Sequence, residues 1–309
     1  MYAIVIHGGA GTISRASLSQ QQEGAYRAVL ERIVRQAHDI LAQGGTSLDA
    51  VTAAVVELEN HHLFNAGYGA VFNASGQHEL DAAVMDGATL EAGCVAGLKR
   101  AKNPVLVART VMEKTRHIML AGEGADTFAE SQGLEMVSPD YFHTENRQRA
   151  FERVQQQLRA NQPKAAISDE DKHGTVGAVA LDAAGNLAAA TSTGGHTHKM
   201  VGRIGDSPII GAGTYADNET CAVSCTGDGE YFIRIAAAHD VASRMRYLSE
   251  SIHDAALHVV TKTLPDLGGT GGLIAIDRRG NIAMPFNTSG MYRAAIDVTG
   301  DLSIGIYRS

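Results

Sequence analysis

The sequence of 309 residues has no tryptophan, only three cysteines and six prolines, and an aromatic fraction of 5%. So few aromatic side chains make a stacking platform for nucleic-acid bases improbable. Basic residues are not in excess either, because 26 Lys and Arg stand against 34 Asp and Glu, a formal net charge of −8. Nucleic-acid-binding proteins usually carry a basic surface, so the sequence predicts no nucleic-acid partner.

Long apolar runs are also missing, since no segment approaches the roughly 18 apolar residues of a membrane span, and we expect no membrane partner. The opening segment, MYAIVIHGGAG, has no preceding basic region and no cleavage-site pattern, which favours a buried first strand over a signal peptide. Three cysteines (Cys94, Cys221 and Cys225) are too few for a disulfide framework. We therefore expect buried thiols and a reducing, cytoplasmic location.

Glycine, by contrast, is abundant: 34 of the residues, about 11%, compared with about 7% in an average protein. Such an excess indicates many tight turns or close backbone contacts. Hydrophobic residues make up 44% and charged residues 19%, which is typical of a chain with a packed core. The length by itself suggests two domains, although one α/β or sandwich domain can also be this long.

Helical periodicity and strand-like runs alternate along the chain, with hairpins concentrated in its second half. Helices are predicted over Gln20–Gln43, Leu48–Glu59, Pro104–Lys114, Glu123–Gln132, Tyr231–Tyr247 and Ile252–Leu264. Strands are predicted over Ala3–His7, Gly93–Leu98, Val176–Asp182, Leu187–Ser192, Cys221–Thr226, Leu273–Asp277, Ile282–Asn287 and Leu302–Tyr307. Antiparallel strands with helices outside predict an α+β fold, a four-layer αββα sandwich.

A polar segment separates the two halves and ends in a flexible linker predicted over Asn161–Lys172. The linker runs through His173 into Gly174–Thr175 and then directly into a buried strand. If the Gly174–Thr175 bond is cut, Thr175 carries a hydroxyl and a free α-amine whose ordinary pKa is roughly 7.7–8.0. Such an amine can act as base to its own hydroxyl. Alternatively, Gly-Thr only begins a strand.

Two other motifs have competing interpretations. The HGGAG run at residues 7–11 could be a dinucleotide loop or an esterase oxyanion motif, but neither G-x-G-x-x-G nor G-x-S-x-G occurs. We expect a glycine-rich strand end packed against another backbone. Four histidines (His61, His62, His196 and His198) could bind zinc, but no H-E-x-x-H or paired C-x-x-C accompanies them. We expect exposed loop histidines and no catalytic metal.

Eight segments in order resemble the plant-type L-asparaginases/isoaspartyl peptidases, which are N-terminal-nucleophile (Ntn) hydrolases. They are HGGAG (7–11), LFNAGYGAVFN (63–73), ELDAAVMDG (79–87), HGTVGAVALD (173–182), TSTGG (191–195), GRIGDSPIIGAGTYA (202–216), SCTGDGE (224–230) and GGTGGLIAID (268–277). The resemblance covers essentially the whole chain. It implies a single Ntn-hydrolase domain over 1–309, cut autocatalytically into an α subunit (1–174) and a β subunit (175–309). Hydrolysis of isoaspartyl (β-aspartyl) dipeptides and L-asparagine is the implied activity.

The resemblance also implies the catalytic residues. Thr175 matches the nucleophile, which would form a β-aspartyl ester, and Thr193 matches the threonine that hydrogen-bonds the nucleophile region. Thr226 and Gly227 match an oxyanion hole made of one hydroxyl and one backbone N–H. Asn65 matches a residue near the nucleophile.

Substrate-binding residues follow from the same resemblance. Arg203 and Asp206 match a clamp in which a guanidinium pairs with the substrate α-carboxylate and a carboxylate pairs with the α-ammonium. Gly229 matches a position whose carbonyl assists the α-ammonium, and Thr226 and Gly227 also contact substrate. His196 and His198 lie in a variable stretch near Arg203 and could alter the rim of the pocket.

A structural sodium ion and a dimer of cleaved αβ units, a heterotetramer by chain count, are further implications of the resemblance. The expected sodium ligands are backbone carbonyls, which suit a hard cation, from Leu58, Glu59, His61, Phe64, Ala66 and Tyr68. A glycosylasparaginase is the alternative enzyme. Such an enzyme typically has disulfides and an Asp before its nucleophile, whereas this chain has Gly174 there. An uncleaved ligand-binding homologue is the non-enzymatic alternative.

Overall fold

The computed structural model describes residues 1–16, 18–160 and 174–308, so the predicted linker Asn161–Lys172 lies outside the described residues. Within the described part, the strands are β1 (Ala3–Gly11), β2 (Leu80–Asp86), β3 (Ala92–Leu98), β4 (Met119–Ala121), β5 (Val176–Leu181), β6 (Leu187–Thr193), β7 (Thr214–Ala216), β8 (Cys221–Gly227), β9 (Gly271–Asp277), β10 (Ile282–Ala283), β11 (Gly290–Ile296) and β12 (Leu302–Tyr307).

These strands form two sheets. The larger has the order β12-β11-β1-β5-β6-β2-β3-β4, and the smaller has the order β10-β9-β8-β7. Neighbours are antiparallel except for β3 and β4. Strand β5 lies between β1 and β6 near the middle of the larger sheet, with Val176 paired to Ser192. The residue immediately before this central strand, Thr175, is thereby held in the interior of the fold.

The described helices flank the two sheets. They are α1 (Gln20–Ala42), α2 (Ser47–Glu59), α3 (Pro104–Lys114), α4 (Gly122–Ser131), α5 (Glu145–Arg159), α6 (Gly229–Ile235), α7 (Ala237–Leu248), α8 (Ile252–His258) and α9 (Leu264–Asp266). Hydroxyl caps fix the starts of the first two, because Ser19 accepts from the backbone N–H of Gln22 and Thr46 accepts from that of Asp49. None of the described helices is long and apolar enough to cross a membrane.

Three apolar clusters separate four layers. Alternation along β1 sends Ile4 and Ile6 toward a cluster with Leu30 and Ile33 of α1, while Val5 points the opposite way. Val5 belongs to a second cluster, which also contains residues of β5 and β9 and lies between the sheets. The third cluster joins the smaller sheet to α7 and α8. The predicted αββα sandwich is therefore confirmed.

The cysteines occupy these interior clusters or their edges. Cys94, Cys221 and Cys225 are all buried and free, as the expectation of small buried thiols requires. Burial raises the pKa of both Cys94 and Cys221 to about 12, so these thiols are protonated near neutral pH. They serve as small apolar side chains.

Several predicted elements need correction. The helix predicted over Tyr231–Tyr247 is two helices, α6 and α7, which meet at Ala236 in the left-handed conformation (φ 48°). A π-helical turn, Val259–Thr263, interrupts the one predicted over Ile252–Leu264. The strand predicted over Ile282–Asn287 is only Ile282–Ala283. Four strands were not predicted: β2, β4, β7 and β11.

Candidate active site

Thr175 lies immediately before β5, and its side chain faces the end of β6. Its Oγ1 is 3.0 Å from Oγ1 of Thr193, the last residue of β6. The antiparallel pairing of β5 and β6 brings the two hydroxyls together, although 18 residues separate them in sequence. Thr175 is 8% exposed. A nearly buried hydroxyl with a second hydroxyl as neighbour can exchange protons through a short, water-poor contact.

The residue before it, Gly174, has a conformation that L side chains rarely adopt (φ 155°). A Cβ at this position would lie 2.5 Å from Cβ of Asn65, and one at Gly9 would lie 2.6 Å from Cα of Gly174. The glycine-rich end of β1 therefore packs directly against the Gly174 backbone. This confirms the interpretation of HGGAG as a strand end packed close to another backbone.

Asn65 joins the loop after α2 to both sides of the Thr175 region. Its backbone N–H donates to the Gly174 carbonyl at 3.1 Å, and its side-chain Nδ2 donates to the Gly195 carbonyl at 2.6 Å. The side-chain Oδ1 accepts from Val71 N at 3.0 Å. The two side-chain bonds fix the position of Asn65, and its backbone N–H therefore holds the carbonyl of Gly174, the residue before Thr175, in one orientation.

Thr226 and Gly227 end β8 on the smaller sheet, opposite the glycine-rich end of β1. The backbone N–H of Ala10 donates to Oγ1 of Thr226 at 3.2 Å. Because that contact uses an acceptor lone pair of the hydroxyl, the hydroxyl proton of Thr226 remains available for another acceptor. Gly227 (φ 152°) packs against the carbonyl of Thr270, where a side chain would not fit.

Arg203, Asp206 and Gly229 lie together at the start of α6. A Cβ on Gly229 would lie 2.8 Å from Asp206 Oδ1 and 3.1 Å from Arg203 Nη2. Burial raises the pKa of Asp206 to about 7, an effect that its own backbone N–H and Arg203 oppose. Its Oδ2 is buried and has no hydrogen-bond partner among the described residues. A cationic ligand group would satisfy that oxygen, since buried carboxylates are otherwise paired.

The sequence analysis assigned no role in the site to two residues of this region. Glu230 holds the Arg203 guanidinium in a two-point contact, with Nε to Oε1 at 2.9 Å and Nη2 to Oε2 at 2.8 Å. It stands next to Gly229 in the SCTGDGE motif, but nothing in the sequence pairs it with a residue 27 positions away. His7 was considered only as part of HGGAG, yet its ring is fully buried and hydrogen-bonded to Ser224.

The stretch after α2 turns back sharply on itself, as a carbonyl cage would require. Carbonyls of Leu58, Glu59 and His61 accept from the backbone N–H groups of His61, Tyr68 and Phe64. The Leu58 carbonyl also accepts from the Asn60 N–H, whereas those of Glu59 and His61 each retain a second lone pair for a cation.

Gly67 and Gly69 complete the turn. They pack so closely on the carbonyls of Glu59 and Phe64 that a Cβ at either position would overlap the oxygen. The Glu59 side chain faces elsewhere: it accepts from Asn103 Nδ2 and Val105 N, and burial raises its pKa to about 7. Its backbone oxygen, by contrast, accepts from Tyr68 N in the turn, so a cation bound there would meet a neutral oxygen and not the carboxylate.

The histidines are less exposed than the sequence analysis expected. His62 is exposed, but His61, His196 and His198 are half-buried. The rings of His61 and His62 stack at 4.8 Å, and that of His198 stacks on Phe151 of α5 at 5.7 Å. Among the described residues, no three His, Cys, Asp or Glu side chains converge so that they could hold a metal ion.

Comparison with known proteins finds relatives that match this chain over nearly its full length. Residues 1–306 match the family described as Asparaginase (Asparaginase_2). The chain is 53% identical over 307 residues to the isoaspartyl peptidase of Salmonella typhimurium, covering 99% of this chain and 98% of that protein. It is 54% identical over 307 residues to the isoaspartyl peptidase of Escherichia coli, at 99% and 96% coverage. A probable isoaspartyl peptidase/L-asparaginase of Arabidopsis thaliana is 36% identical over 329 residues, covering 99% of both chains.

Proposed function

The chain belongs to the asparaginase family and is an enzyme, and from this premise we propose that it hydrolyses isoaspartyl dipeptides and L-asparagine with Thr175 as nucleophile. The observation that carries the proposal is the 3.0 Å contact between the hydroxyls of Thr175 and Thr193 at the start of a central strand. A hydroxyl in that position becomes a competent nucleophile only if Thr175 also supplies a base.

Autocleavage would supply that base. The Thr175 hydroxyl attacks the Gly174 carbonyl carbon, the C–N bond breaks with proton transfer to nitrogen, and water hydrolyses the resulting ester. The Asn65 N–H, which donates to the Gly174 carbonyl at 3.1 Å, would stabilise the negative charge on that oxygen. The left-handed Gly174 leaves the carbonyl open to attack because no Cβ shields it.

After cleavage, the free α-amine of Thr175 would take the proton of its own hydroxyl during attack on a substrate β-carbonyl. Thr226 Oγ1 and the Gly227 N–H would then donate to the developing oxyanion, and the Ala10 N–H keeps the Thr226 hydroxyl oriented. The leaving amine receives the proton, and the products are a β-aspartyl ester on Thr175 and ammonia or a free amino acid. Water releases L-aspartate from that ester.

Recognition of the aspartyl moiety would depend on Arg203 and Asp206. The guanidinium offers a planar pair of donors to the α-carboxylate, and the buried Asp206, with its unpartnered Oδ2, pairs with the α-ammonium. The Gly229 carbonyl would assist that ammonium. Both charged groups are free only in β-linked aspartyl residues and in asparagine, so the clamp would reject ordinary α-linked peptides.

The loop after α2 would hold a sodium ion through the carbonyls of Leu58, Glu59, His61, Phe64, Ala66 and Tyr68. The ion would stabilise the loop that carries Asn65 and would supply no catalytic chemistry. Assembly into a dimer of cleaved αβ units stays a prediction, which sedimentation of the cleaved protein would test.

The experiment that tests this function is a set of assays with L-asparagine, β-Asp-Gly and α-Asp-Gly. The wild-type chain should release aspartate from the first two and not from the third. Thr175→Ala should lose all measurable activity, while Thr261→Ala, the same change at an exposed threonine, should retain it. Aspartate release from α-Asp-Gly, or activity retained by Thr175→Ala, would contradict the proposal. A preference for glycosylated asparagine would favour the glycosylasparaginase alternative.

A further inference from the structure

The segment ELDAAVMDG, residues 79–87, contains β2, and the proposed function gives its side chains no role. Its first two acidic side chains are buried, since Glu79 is 4% exposed and Asp81 is not exposed at all. Buried carboxylates are costly unless a cation or hydrogen-bond donors compensate them. Lys199, itself only 5% exposed, brings a positive charge to both of these carboxylates.

Lys199 links this segment to the loop that follows β6. Its Nζ donates to the Glu79 carbonyl at 2.8 Å, and its own backbone carbonyl accepts from Ala74 N at 2.7 Å. The side chain also packs on Gly195, where a Cβ would lie 2.8 Å from Cδ and 3.0 Å from Nζ of Lys199. The buried ammonium is therefore in contact with the Gly195 backbone.

Hydrogen bonds connect Gly195 to both sides of the candidate nucleophile. Its N–H donates to Oγ1 of Thr193 at 3.0 Å, and that oxygen is 3.0 Å from Oγ1 of Thr175. Its carbonyl accepts from Asn65 Nδ2 at 2.6 Å, and the Asn65 N–H donates to the Gly174 carbonyl. A displacement of the Gly195 backbone would therefore disturb the groups on either side of the bond to be cut.

Asp81 approaches the same place from β2. It pairs across the larger sheet with Thr193, and the side chains of directly paired residues lie side by side on one face. Its Oδ1 accepts from Gly97 N at 2.8 Å, whereas its Oδ2 has no hydrogen-bond partner among the described residues. Burial raises the pKa of Asp81 and lowers that of Lys199, and each of the two charges opposes the effect of burial on the other.

Glu79 is directed away from this pair, toward the clamp. Both of its carboxylate oxygens accept from the backbone N–H of Gly202 at 3.2 Å, and Gly202 precedes Arg203. Its charge is therefore compensated on the clamp side, which leaves Asp81 as the carboxylate beside Thr193.

We propose that Lys199 and Asp81 form a buried charge pair that positions Thr193 for its contact with Thr175. The inference rests on the proposed function and adds to it two positioning residues, which act through Thr193 and Gly195 and not on the substrate. Removal of one partner would leave the opposite charge unbalanced beside the site. Loss of the ammonium should raise the pKa of the Thr175 amine, and loss of the carboxylate should lower it.

The other ionisable groups around the site keep one charge state between about pH 6 and pH 9. Burial lowers the pKa of His7 to about 3 and that of His78, which is near the pair, to about 4, so both rings are neutral. Arg203 and Glu230 remain charged in their two-point contact. Burial raises the pKa of the Cys225 thiol well above its usual range, so it remains protonated.

Asp206 titrates together with the Thr175 amine, and the Asp81 charge raises its pKa. Loss of that charge should therefore lower the pKa of Asp206, in the same direction as the pKa of the amine. The acid limb of kcat/KM requires both groups to be deprotonated, so both shifts move this limb to lower pH.

The position of this acid limb, measured with L-asparagine, tests the pair. Lys199→Met should move it to higher pH and Asp81→Asn to lower pH, each by about half to one pH unit, as expected for one partly screened charge. The double variant Lys199→Met/Asp81→Asn, in which both charges are gone, should return the limb close to its wild-type position. Lys114→Met, the same change at an exposed lysine, should leave the limb unmoved.

A second readout is the division of the effect between kcat and KM. Because Thr193 contacts the nucleophile and not the clamp, Lys199→Met should lower kcat about ten- to hundredfold and change KM much less. The fraction of chain cut before Thr175, measured on a denaturing gel, reports folding. If Lys199→Met does not fold, Asp81→Asn and the double variant carry the test, because neither leaves a buried charge unpaired.

The outcomes separate the pair from the function on which it rests. An unmoved limb in Asp81→Asn, shifts of the same sign in both single variants, or a double variant with the limb of Asp81→Asn would overturn the pair and leave the hydrolase intact. A wild-type enzyme inactive on both L-asparagine and β-Asp-Gly would overturn the proposed function and the inference together.

Discussion

The imidazole Nε2 of His7 lies 2.9 Å from the hydroxyl oxygen of Ser224, and this hydrogen bond joins the larger sheet to the smaller one. Both residues are fully buried. The bond has room because the neighbouring residue on β5 is Gly177, where a Cβ would lie 2.5 Å from the imidazole nitrogen. Gly177 is two positions after Thr175, so the contact supports the strand that directly follows the candidate nucleophile.

The bond continues as a chain of buried hydroxyls. Ser224 Oγ is 2.8 Å from Thr191 Oγ1, Thr191 Oγ1 is 2.7 Å from Thr214 Oγ1, and Thr214 Oγ1 donates to the Ser207 carbonyl at 2.9 Å. Ser207 is next to Asp206. The chain therefore runs from β1, which pairs with β5, to the loop that carries Asp206, the carboxylate proposed to bind the substrate ammonium. Such buried networks hold their members in one arrangement because an unpaired member is costly.

The first prediction concerns acid stability. Burial lowers the pKa of His7 from 6.5 to about 3, against a smaller opposing effect of the Thr175 backbone. The unfolded chain therefore binds a proton that the native chain does not, and stability falls as the pH drops below 6.5 toward 3. The loss in the free energy of unfolding reaches about 4 to 5 kcal/mol at the lower end of this pH range, near pH 3. His7→Gln should remove this part of the acid slope in urea unfolding curves.

Uncut Thr175→Ala protein is the background for this measurement, because a single chain can refold. In the same background, His253→Gln, the same change at an exposed histidine, should leave the acid slope of Thr175→Ala unchanged. An unchanged slope in His7→Gln would mean that burial of His7 does not control acid stability.

The second prediction concerns the pH dependence of substrate capture. Because burial raises the pKa of Asp206 to about 7, its carboxylate becomes protonated as the pH falls below that value. kcat/KM for β-Asp-Gly should then decrease, since a neutral Asp206 no longer pairs with the substrate ammonium. After the proposed cleavage the Thr175 amine, whose ordinary pKa is roughly 7.7–8.0, would titrate as well, so the wild type should show two protonations on its acid limb. The Asp206→Asn variant should have a low kcat/KM at every pH and show one protonation fewer than the wild type on its acid limb. If the acid limbs of the variant and the wild type have the same shape, Asp206 is not the titrating group.

The third prediction follows from the two-point contact between Arg203 and Glu230. If Arg203 binds the substrate α-carboxylate as proposed, the Glu230 carboxylate, which already holds the same guanidinium, would repel that group. Glu230→Gln should therefore lower KM about two- to fivefold with little change in kcat, in line with the modest energies of partly exposed ion pairs. Steady-state kinetics with L-asparagine give KM and kcat for the wild type and for the variant. A raised KM would indicate that Glu230 instead holds Arg203 in its binding orientation.

The fourth prediction concerns the sodium site proposed in the loop after α2. An ion that binds only the native state raises the free energy of unfolding by about 1.4 kcal/mol for each tenfold increase in ion concentration above its Kd. Tm should therefore rise when Na⁺ replaces choline at constant ionic strength. Gly67→Ala, which would push a methyl group onto the Glu59 carbonyl, should abolish the difference. Gly24→Ala, in open space on α1, should keep it, and a wild-type Tm indifferent to Na⁺ would argue against the site.

Local signals in the sequence predicted the parts of the fold that local physics controls. Proline at the first turn indicated the start of α3 (Pro104–Lys114). Thr46 and Ser47, either of which can cap a helix, indicated the start of α2 within one residue, and the structure has Thr46 as the cap. The break at Ala236 was missed because a left-handed alanine there, unlike glycine, carries no mark in the sequence. β2 and β11 were missed because their burial on both faces depends on partners far away in the chain.

For the site, the sequence indicated residue types but not contacts. The position of Thr175 before a buried strand was visible, since a polar segment, Gly174 and an apolar run follow one another. The roles of Glu230 and His7 depend on Arg203 and Ser224, which lie 27 and 217 residues away. The packing of one sheet on the other brings His7 to Ser224, and the loop between β6 and β7 brings Arg203 to Glu230 at the start of α6. Asp206, whose buried Oδ2 has no partner among the described residues, lies in the same loop as Arg203.

The most direct test of the central claim, that Thr175 becomes an N-terminal nucleophile, is intact-mass measurement with N-terminal sequencing of the purified chain. The account predicts two fragments for the wild type, the smaller beginning at Thr175, and one uncut chain for Thr175→Ala. A wild-type chain that stays whole while it hydrolyses β-Asp-Gly would contradict it, as would cleavage at the same bond in Thr175→Ala.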